Sequence, residues 1–308
     1  MRRFDGICGS LVFVLILTAS ACGGIVDDVR MSLAQSNFSG AESQLKSYKD
    51  AKGVTPEYLE ALSWMARAAL SLQQYTQADG YAKQTLTLAA PVLKKHPIDS
   101  DEQMATAVGA ALEVQAQSLA GRGQKAQGAA LLRRALGTYG GTSIAPRIHK
   151  NINLLIFVGQ QAPALHGGEF LGMRAPSLAE LKGTPVLLFF WAHWCMDCKG
   201  ESPILARLHS EFKDLTMIAP TQRYGYAGGG ENATPQAELE YIKRIWEKYY
   251  AGLQNASVPV GKENFNIYGS STTPTLVLID RAGKIAYYHP GAVMYDELRA
   301  AIERVVRG

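Results

Sequence analysis

Two cysteines three positions apart, Cys195 and Cys198, follow directly on an unbroken apolar run in a chain of 308 residues. A closely spaced dithiol of this kind can cycle between thiols and a disulfide, provided that one sulfur is activated and the other can reach it. The elements around the pair supply both conditions. Residues 184–191 (TPVLLFFW) read as a strand buried on both faces. A helix is expected from about 195 to 212, broken or bent at Pro203. A thiol at a helix N-terminus faces unpaired backbone N–H groups and the positive end of the dipole, and both favour the thiolate. Cys195 is therefore expected to be the exposed nucleophile. Cys198, one turn in, is placed to attack the mixed disulfide from inside and release the substrate reduced. Trp194 would shield one side of the pair.

The remaining cysteines bear on compartment. Of the four in the chain, Cys8 and Cys22 belong to the N-terminal segment. Arg2 and Arg3 precede the apolar stretch 11–17 (LVFVLIL), and Ala19-Ser20-Ala21 supplies small residues before Cys22. This is the layout of an export signal over residues 1–21, its apolar core too short to span a bilayer. Two readings of the cleavage point stand. One is ordinary cleavage at A-x-A, which makes the protein secreted. The other resembles a bacterial lipobox, with Cys22 lipidated and Ala19 departing from the common leucine; it accounts for a cysteine at the cut. The chain is thus expected to be exported, periplasmic or anchored at the outer membrane, touching membrane only through a lipid. Outside the cytoplasm, a single closely spaced pair suggests a working disulfide rather than a structural staple.

Composition excludes several classes. At 47% hydrophobic and 19% charged the chain is neither disordered nor membrane-embedded in bulk. A formal net charge of +4 with no aromatic and basic cluster gives no nucleic-acid footprint. Residues 22–158 read as all-helical, with Leu59, Leu62, Met65, Ala66, Ala69 and Leu70 at helical spacing. Gly53, Pro56, Pro91, Pro97 and Gly137 are taken as separators. The stretch Ala69-Leu70-x-Leu72 through Tyr75-x-x-Ala78-x-x-Tyr81-Ala82 resembles a tetratricopeptide hairpin, in which small alanines let two helices approach. The spacing is irregular: Phe38 to Tyr75 is 37 residues and Tyr75 to Lys125 is 50. A non-repeating bundle fits the same residues. From 159 to 308 strands and helices alternate, which argues an α/β layer structure. The expected elements are a strand at 215–219, a helix at 235–250 capped by Thr234, strands at 275–279 and 285–289, and a helix at 295–306.

These residues carry a family resemblance. Trp194-Cys195-x-x-Cys198 after a buried strand, Pro203 beyond it, and Thr273-Pro274-Thr275 leading into a late strand resemble the thioredoxin superfamily. The resemblance implies a central mixed sheet flanked by helices. It also implies a cis Pro274 beside the disulfide, with the backbone of Thr273 offering hydrogen bonds to a bound substrate strand. Within the superfamily, Gly159-x-x-Ala162-Pro163, Leu181-Lys182-Gly183 and Cys198-x-x-Glu201-x-Pro203 are similar to the TlpA/ResA-like branch of exported thiol-disulfide oxidoreductases. That branch implies a partly buried Glu201 that tunes the thiols and relays protons. No metal or cofactor beyond the Cys195–Cys198 couple is implied. The implied partners are protein disulfides, an upstream thiol reductant, and a protein bound by the helical part. Between the cysteines, Met196-Asp197 departs from the usual Gly-Pro or Glu-Pro. A carboxylate there disfavours thiolate and predicts a reducing protein, with a potential well below the ~−120 mV of strong oxidants.

Other readings compete. A thiol peroxidase of the same fold requires P-x-x-x-T-x-x-C, which does not surround Cys195. A copper-binding or metallochaperone module would use Cys195, Cys198 and a histidine as soft ligands, usually with C-x-x-x-C spacing. A protein-interaction scaffold would make the helical part the working one. His193 reads as a partly exposed structural histidine, and Gly228-Gly229-Gly230 as a flexible insertion or a rim over the site.

Overall fold

The computed structural model describes residues 24–174 and 176–307. The leader reading of residues 1–21, Cys8 and the lipidation call at Cys22 lie outside the described residues.

Among the described residues, seven stacked helices come first: α1 (Ile25–Ala34), α2 (Phe38–Lys52), α3 (Pro56–Ser71), α4 (Tyr75–Leu93), α5 (Glu102–Gly121), α6 (Lys125–Tyr139) and α7 (Ala145–Ile156). Their starts are chemically marked. Asn37, Thr55 and Asp101 accept from the N–H of Gly40, Tyr58 and Met104 at 2.9, 3.1 and 2.9 Å, satisfying otherwise orphaned donors. Two expected separators do not separate. Pro91 stays inside α4, in its last turns with its ring exposed, and Gly137 stays inside α6. A proline that late in a helix removes only one internal hydrogen bond. Leu59, Leu62 and Met65 of α3 meet Val108 of α5 and Ile148 of α7 in one core. A second cluster is mostly alanine, Ala66, Ala69, Ala78, Ala82 and Ala111, all fully buried, and brings α3, α4 and α5 into close contact. Gly128 serves the same end for α5 and α6, since a Cβ there would lie 2.7 Å from the Ala116 carbonyl oxygen.

The second half alternates: β1 (Glu169–Leu171), β2 (Val186–Phe190), α8 (Met196–Glu211), β3 (Thr216–Ile218), α9 (Pro235–Tyr249), β4 (Val258–Val260), α10 (Lys262–Tyr268), β5 (Thr275–Ile279), β6 (Ile285–Pro290) and α11 (Tyr295–Arg307). The main sheet runs β3-β2-β5-β6, with β2 parallel to β3 and antiparallel to β5, and β5 antiparallel to β6. The mixed sheet flanked by helices is the thioredoxin-like arrangement. Side chains of β2 alternate between two cores, as strand geometry requires. Leu187 and Phe189, with Trp191 beyond, face α8, α9 and α11; Val186, Leu188 and Phe190 face the opposite layer with Phe265 and Tyr268. Strands β1 and β4 form a separate antiparallel pair. With three residues each they are too short for periodicity to show, and they were not expected from sequence.

The halves share a contact at α7. Phe157, the C-cap of α7, packs edge-on against Tyr268 and Tyr288 at 5.8 and 5.4 Å between ring centres. Asn153 Nδ2 donates to the Tyr268 carbonyl at 2.9 Å. Gly269 has φ +61°, and a Cβ there would lie 2.7 Å from the Lys150 amide nitrogen. The approach is main chain on main chain, which only glycine permits.

Candidate functional site

Strand β2 ends at Phe190, and the chain is pinned at once. Trp191 Nε1 donates to the Ala219 carbonyl at 3.0 Å, and Thr221 Oγ1 donates to the Trp191 carbonyl at 2.9 Å. Trp191 packs against Trp246 and Tyr250 of the α9 segment, with ring centres 5.2 and 4.9 Å apart. The turn into α8 is thereby held from behind, and Cys195 becomes its N-cap. Its Sγ accepts from the Cys198 N–H at 3.0 Å. That donor is one of those a helix start leaves unpaired, and it would stabilise charge on Cys195. Cys195 and Cys198 form a disulfide, with Cα atoms 5.3 Å apart.

Burial departs from expectation in one respect. Cys195 was read as exposed, yet it is only 3% accessible, and Cys198 is fully buried. The asymmetry keeps the expected order, but the outer cysteine is almost fully covered as well. Trp194, 47% exposed, and Met196, 72% exposed, flank it. They leave apolar surface exposed to solvent beside the buried disulfide. Pro203 is accommodated within α8, which runs on to Glu211.

The Thr273–Pro274 peptide bond is cis. Its turn is tied down by Thr275 Oγ1 donating to the Thr272 carbonyl at 2.6 Å and by the Gly291 N–H donating to Pro274 at 2.8 Å. Among the described residues, the N–H and C=O of Thr273 take no backbone partner. Thr273 and Trp194 line one shared cavity.

Glu201 is 2% exposed, and its Oε1 accepts from the Val293 N–H at 3.2 Å while Oε2 has no partner among the described residues. Burial pushes its pKa up to about 7; the Val293 hydrogen bond pulls the other way, and Asp197 adds to the rise. A carboxyl poised there can hold or release a proton near neutrality. The linkage has a definite sign. The folded state binds the Glu201 proton more tightly than the unfolded chain does, so stability falls as pH rises from about 4.5 to about 7. Glu201→Gln removes that loss. The oxidised variant should be more stable than the parent by roughly 2–3 kcal/mol at pH 8 and equal to it at pH 4. Urea midpoints at the two pH values check this; a variant equal to or weaker than the parent at pH 8 contradicts it.

Sequence reasoning did not find the site's other buried node. His193 is 1% exposed rather than partly exposed, and its Nε2 lies 3.2 Å from Glu238 Oε1, itself 1% exposed. Glu238 also accepts from the N–H of Tyr224 at 2.6 Å and of Gly225 at 2.9 Å. Burial lowers the His193 pKa, against the opposing pull of Glu238, so a neutral ring donates to the carboxylate. Tyr224, Tyr226 and Tyr241 surround that ring edge-on at 5.3–5.6 Å. Tyr224 in turn meets Trp194 at 5.5 Å. The insertion containing Gly228-Gly229-Gly230 is thus anchored beside the disulfide by the tyrosines at its start. The available signal was Tyr224 and Tyr226 in an otherwise polar segment. Nothing in sequence tied them to Glu238, which reads as an ordinary acid in the first turn of a helix.

The family description of the thioredoxin-like domain matches residues 174–306. The chain is 28% identical over 146 residues to the thioredoxin-like protein YneN of Bacillus subtilis, a match spanning 47% of this chain and 78% of that protein. It is 28% identical over 125 residues to the thiol:disulfide interchange protein DsbE of Xylella fastidiosa, spanning 39% and 56%. To the thiol-disulfide oxidoreductase ResA of Bacillus anthracis it is 24% identical over 150 residues, spanning 48% and 78%.

Proposed function

We propose that this chain, a thiol-disulfide oxidoreductase of the ResA and DsbE type whose C-terminal half is a thioredoxin-like domain, reduces disulfides of other proteins outside the cytoplasm. The observation that carries the reading is the disulfide itself. Cys195 caps α8 and accepts an N–H at 3.0 Å, Cys198 is fully buried one turn in, and Thr273 stands nearby with unclaimed backbone groups. In the dithiol form, the Cys195 thiolate attacks one sulfur of the substrate disulfide. The Cys195–substrate bond forms, the substrate S–S bond breaks, and the departing thiolate takes up a proton. Cys198, as thiolate, then attacks Cys195 Sγ, re-forming the internal disulfide and expelling the second substrate thiol. Two electrons and two protons pass from the protein to the substrate, and an upstream thiol reductant restores the dithiol.

Several roles follow from this reading. Thr273 pairs with an extended stretch of the substrate, next to the cis Pro274, and Trp194 covers its flank. Glu201 exchanges the proton for Cys198. Asp197, exposed in the first turn of α8, opposes negative charge on the sulfurs and favours the reducing direction. Residues 1–21 are the export leader, Cys22 carries the lipid, and residues 22–158 form a tetratricopeptide-like region that binds a protein partner ahead of the redox domain at 159–308.

The test is reduction of insulin by dithiothreitol with the full exported chain. The parent protein accelerates the reaction, and Cys195→Ser shows only the uncatalysed rate. Undiminished turnover in Cys195→Ser overturns the reading.

A further inference from the structure

The cavity shared by Trp194 and Thr273 is not built by the redox half alone. It measures about 280 Å³, room for one or two side chains, and its far wall is Ser143 and Pro146 at the entry to α7. Tyr224, held by the His193–Glu238 node, forms the side next to Trp194. Lys262, at the start of α10, is the one charged residue on its walls among the described residues, and no salt bridge engages it there. Ser270, 5% exposed, also lines the cavity; its hydroxyl and that of Thr273 are buried without a partner. Two nearby carboxylates, Asp99 and Glu238, are already occupied. Asp99 accepts from the N–H and hydroxyl of Ser143 at 3.1 and 2.6 Å, and Glu238 is spent on His193, Tyr224 and Gly225.

A buried hydroxyl without an acceptor is costly, and this cavity is lined by two such residues, Ser270 and Thr273, and by the exposed Lys262, which adds positive charge. A carboxylate offers about four lone-pair sites and the opposite charge. We infer that this cavity is a subsite for the substrate polypeptide that seats an acidic side chain flanking its reactive cysteine, with the helical half as one wall. The inference rests on the proposed disulfide exchange and assigns its substrate class. A strand paired with the Thr273 backbone passes over the disulfide and turns alternate side chains toward this wall. The helical half then helps to choose the substrate at the sulfur itself.

The test uses the full chain, reduced and freed of reductant, and short peptides whose single cysteine is a mixed disulfide with thionitrobenzoate. The residues on both sides of that cysteine are glutamate, glutamine or lysine. At the effective dielectric of a partly solvated cleft, one ion pair at about 4 Å is worth roughly a tenfold change. The expected kcat/KM order is Glu over Gln over Lys, with about tenfold at each step. Lys262→Glu should invert the order. Pro146→Glu places a like charge on the helical wall at a helix start that tolerates it, and should cut the Glu-to-Lys ratio several-fold. A parent ratio within twofold of one, or one unmoved by Lys262→Glu, overturns the acidic subsite while the exchange reaction stands. A ratio moved by Lys262→Glu and not by Pro146→Glu overturns the helical wall. Failure to reduce any of the peptides overturns the exchange reading, and the subsite with it.

Discussion

Cys198→Ser should accumulate as a covalent adduct through Cys195, and its multiple-turnover rate should fall on the order of 1,000-fold or more. Resolution in the parent protein is intramolecular, with the two Cα atoms 5.3 Å apart. A well-oriented internal group acts at an effective concentration far above that of any added thiol. An external thiol cannot easily substitute either, because Cys195 is only 3% exposed and the Cys198 position is sealed from solvent. The first chemical step survives, since the Cys195 thiolate keeps its place at the end of α8 and its N–H donor from residue 198. Non-reducing electrophoresis of the reduced variant mixed with an oxidised protein substrate should show a new reductant-sensitive band. Cys195→Ser should show none. Equal adduct yields from the two variants would reverse the assignment of attacking and resolving sulfur.

The second large effect concerns stability. Glu238→Ala should destabilise the protein by about 3–5 kcal/mol, lowering its thermal midpoint by roughly 10 °C. The carboxylate holds three donors, His193 Nε2 and the N–H groups of Tyr224 and Gly225, at 3.2, 2.6 and 2.9 Å in a site that is 1% exposed. Removing it strands all three without water. Glu238→Gln keeps an acceptor and the shape, and should lose about half as much. A second readout separates this node from generic core loss. Tyr224 meets Trp194, so the emission of Trp194 should shift in Glu238→Ala below the unfolding transition. His193 adds a pH signature. Its folded pKa is depressed, chiefly by burial, so its contribution is present above the unfolded value near 6.5 and is lost as pH falls through the folded one. A Glu238→Ala midpoint within 1 °C of the parent would contradict this account.

The two halves of the chain were legible to different depths. Continuous apolar runs announce buried strands, and β2 and β5 stand where TPVLLFFW and the residues after Pro274 put them. The helix start at Thr234-Pro235 was read from its cap and proline, whereas Thr55-Pro56, which carries the same signal, was read only as a separator. Pro91 and Gly137 misled because a breaker in an end turn costs too little to stop a packed helix. The cysteines and the Thr-Pro turn stood out as local patterns. The Glu238 node did not, since it joins residues 193, 224, 225 and 238 across three separate elements. Nor did the cavity wall at Ser143 and Pro146, because nothing local marks a loop that is completed by residues 48 or more positions away.

Phe157 closes the last helix of the first half, yet its ring belongs to the hydrophobic layer beneath the sheet, together with Phe265, Tyr268 and Tyr288. A recombinant redox fragment begun at residue 159 would therefore leave a greasy socket open to water, beside a tyrosine carbonyl that has lost its Asn153 donor. A cut ahead of α7 would in turn take Ile148 and Ile152 out of the helical core, so neither boundary separates the halves without opening one of their cores.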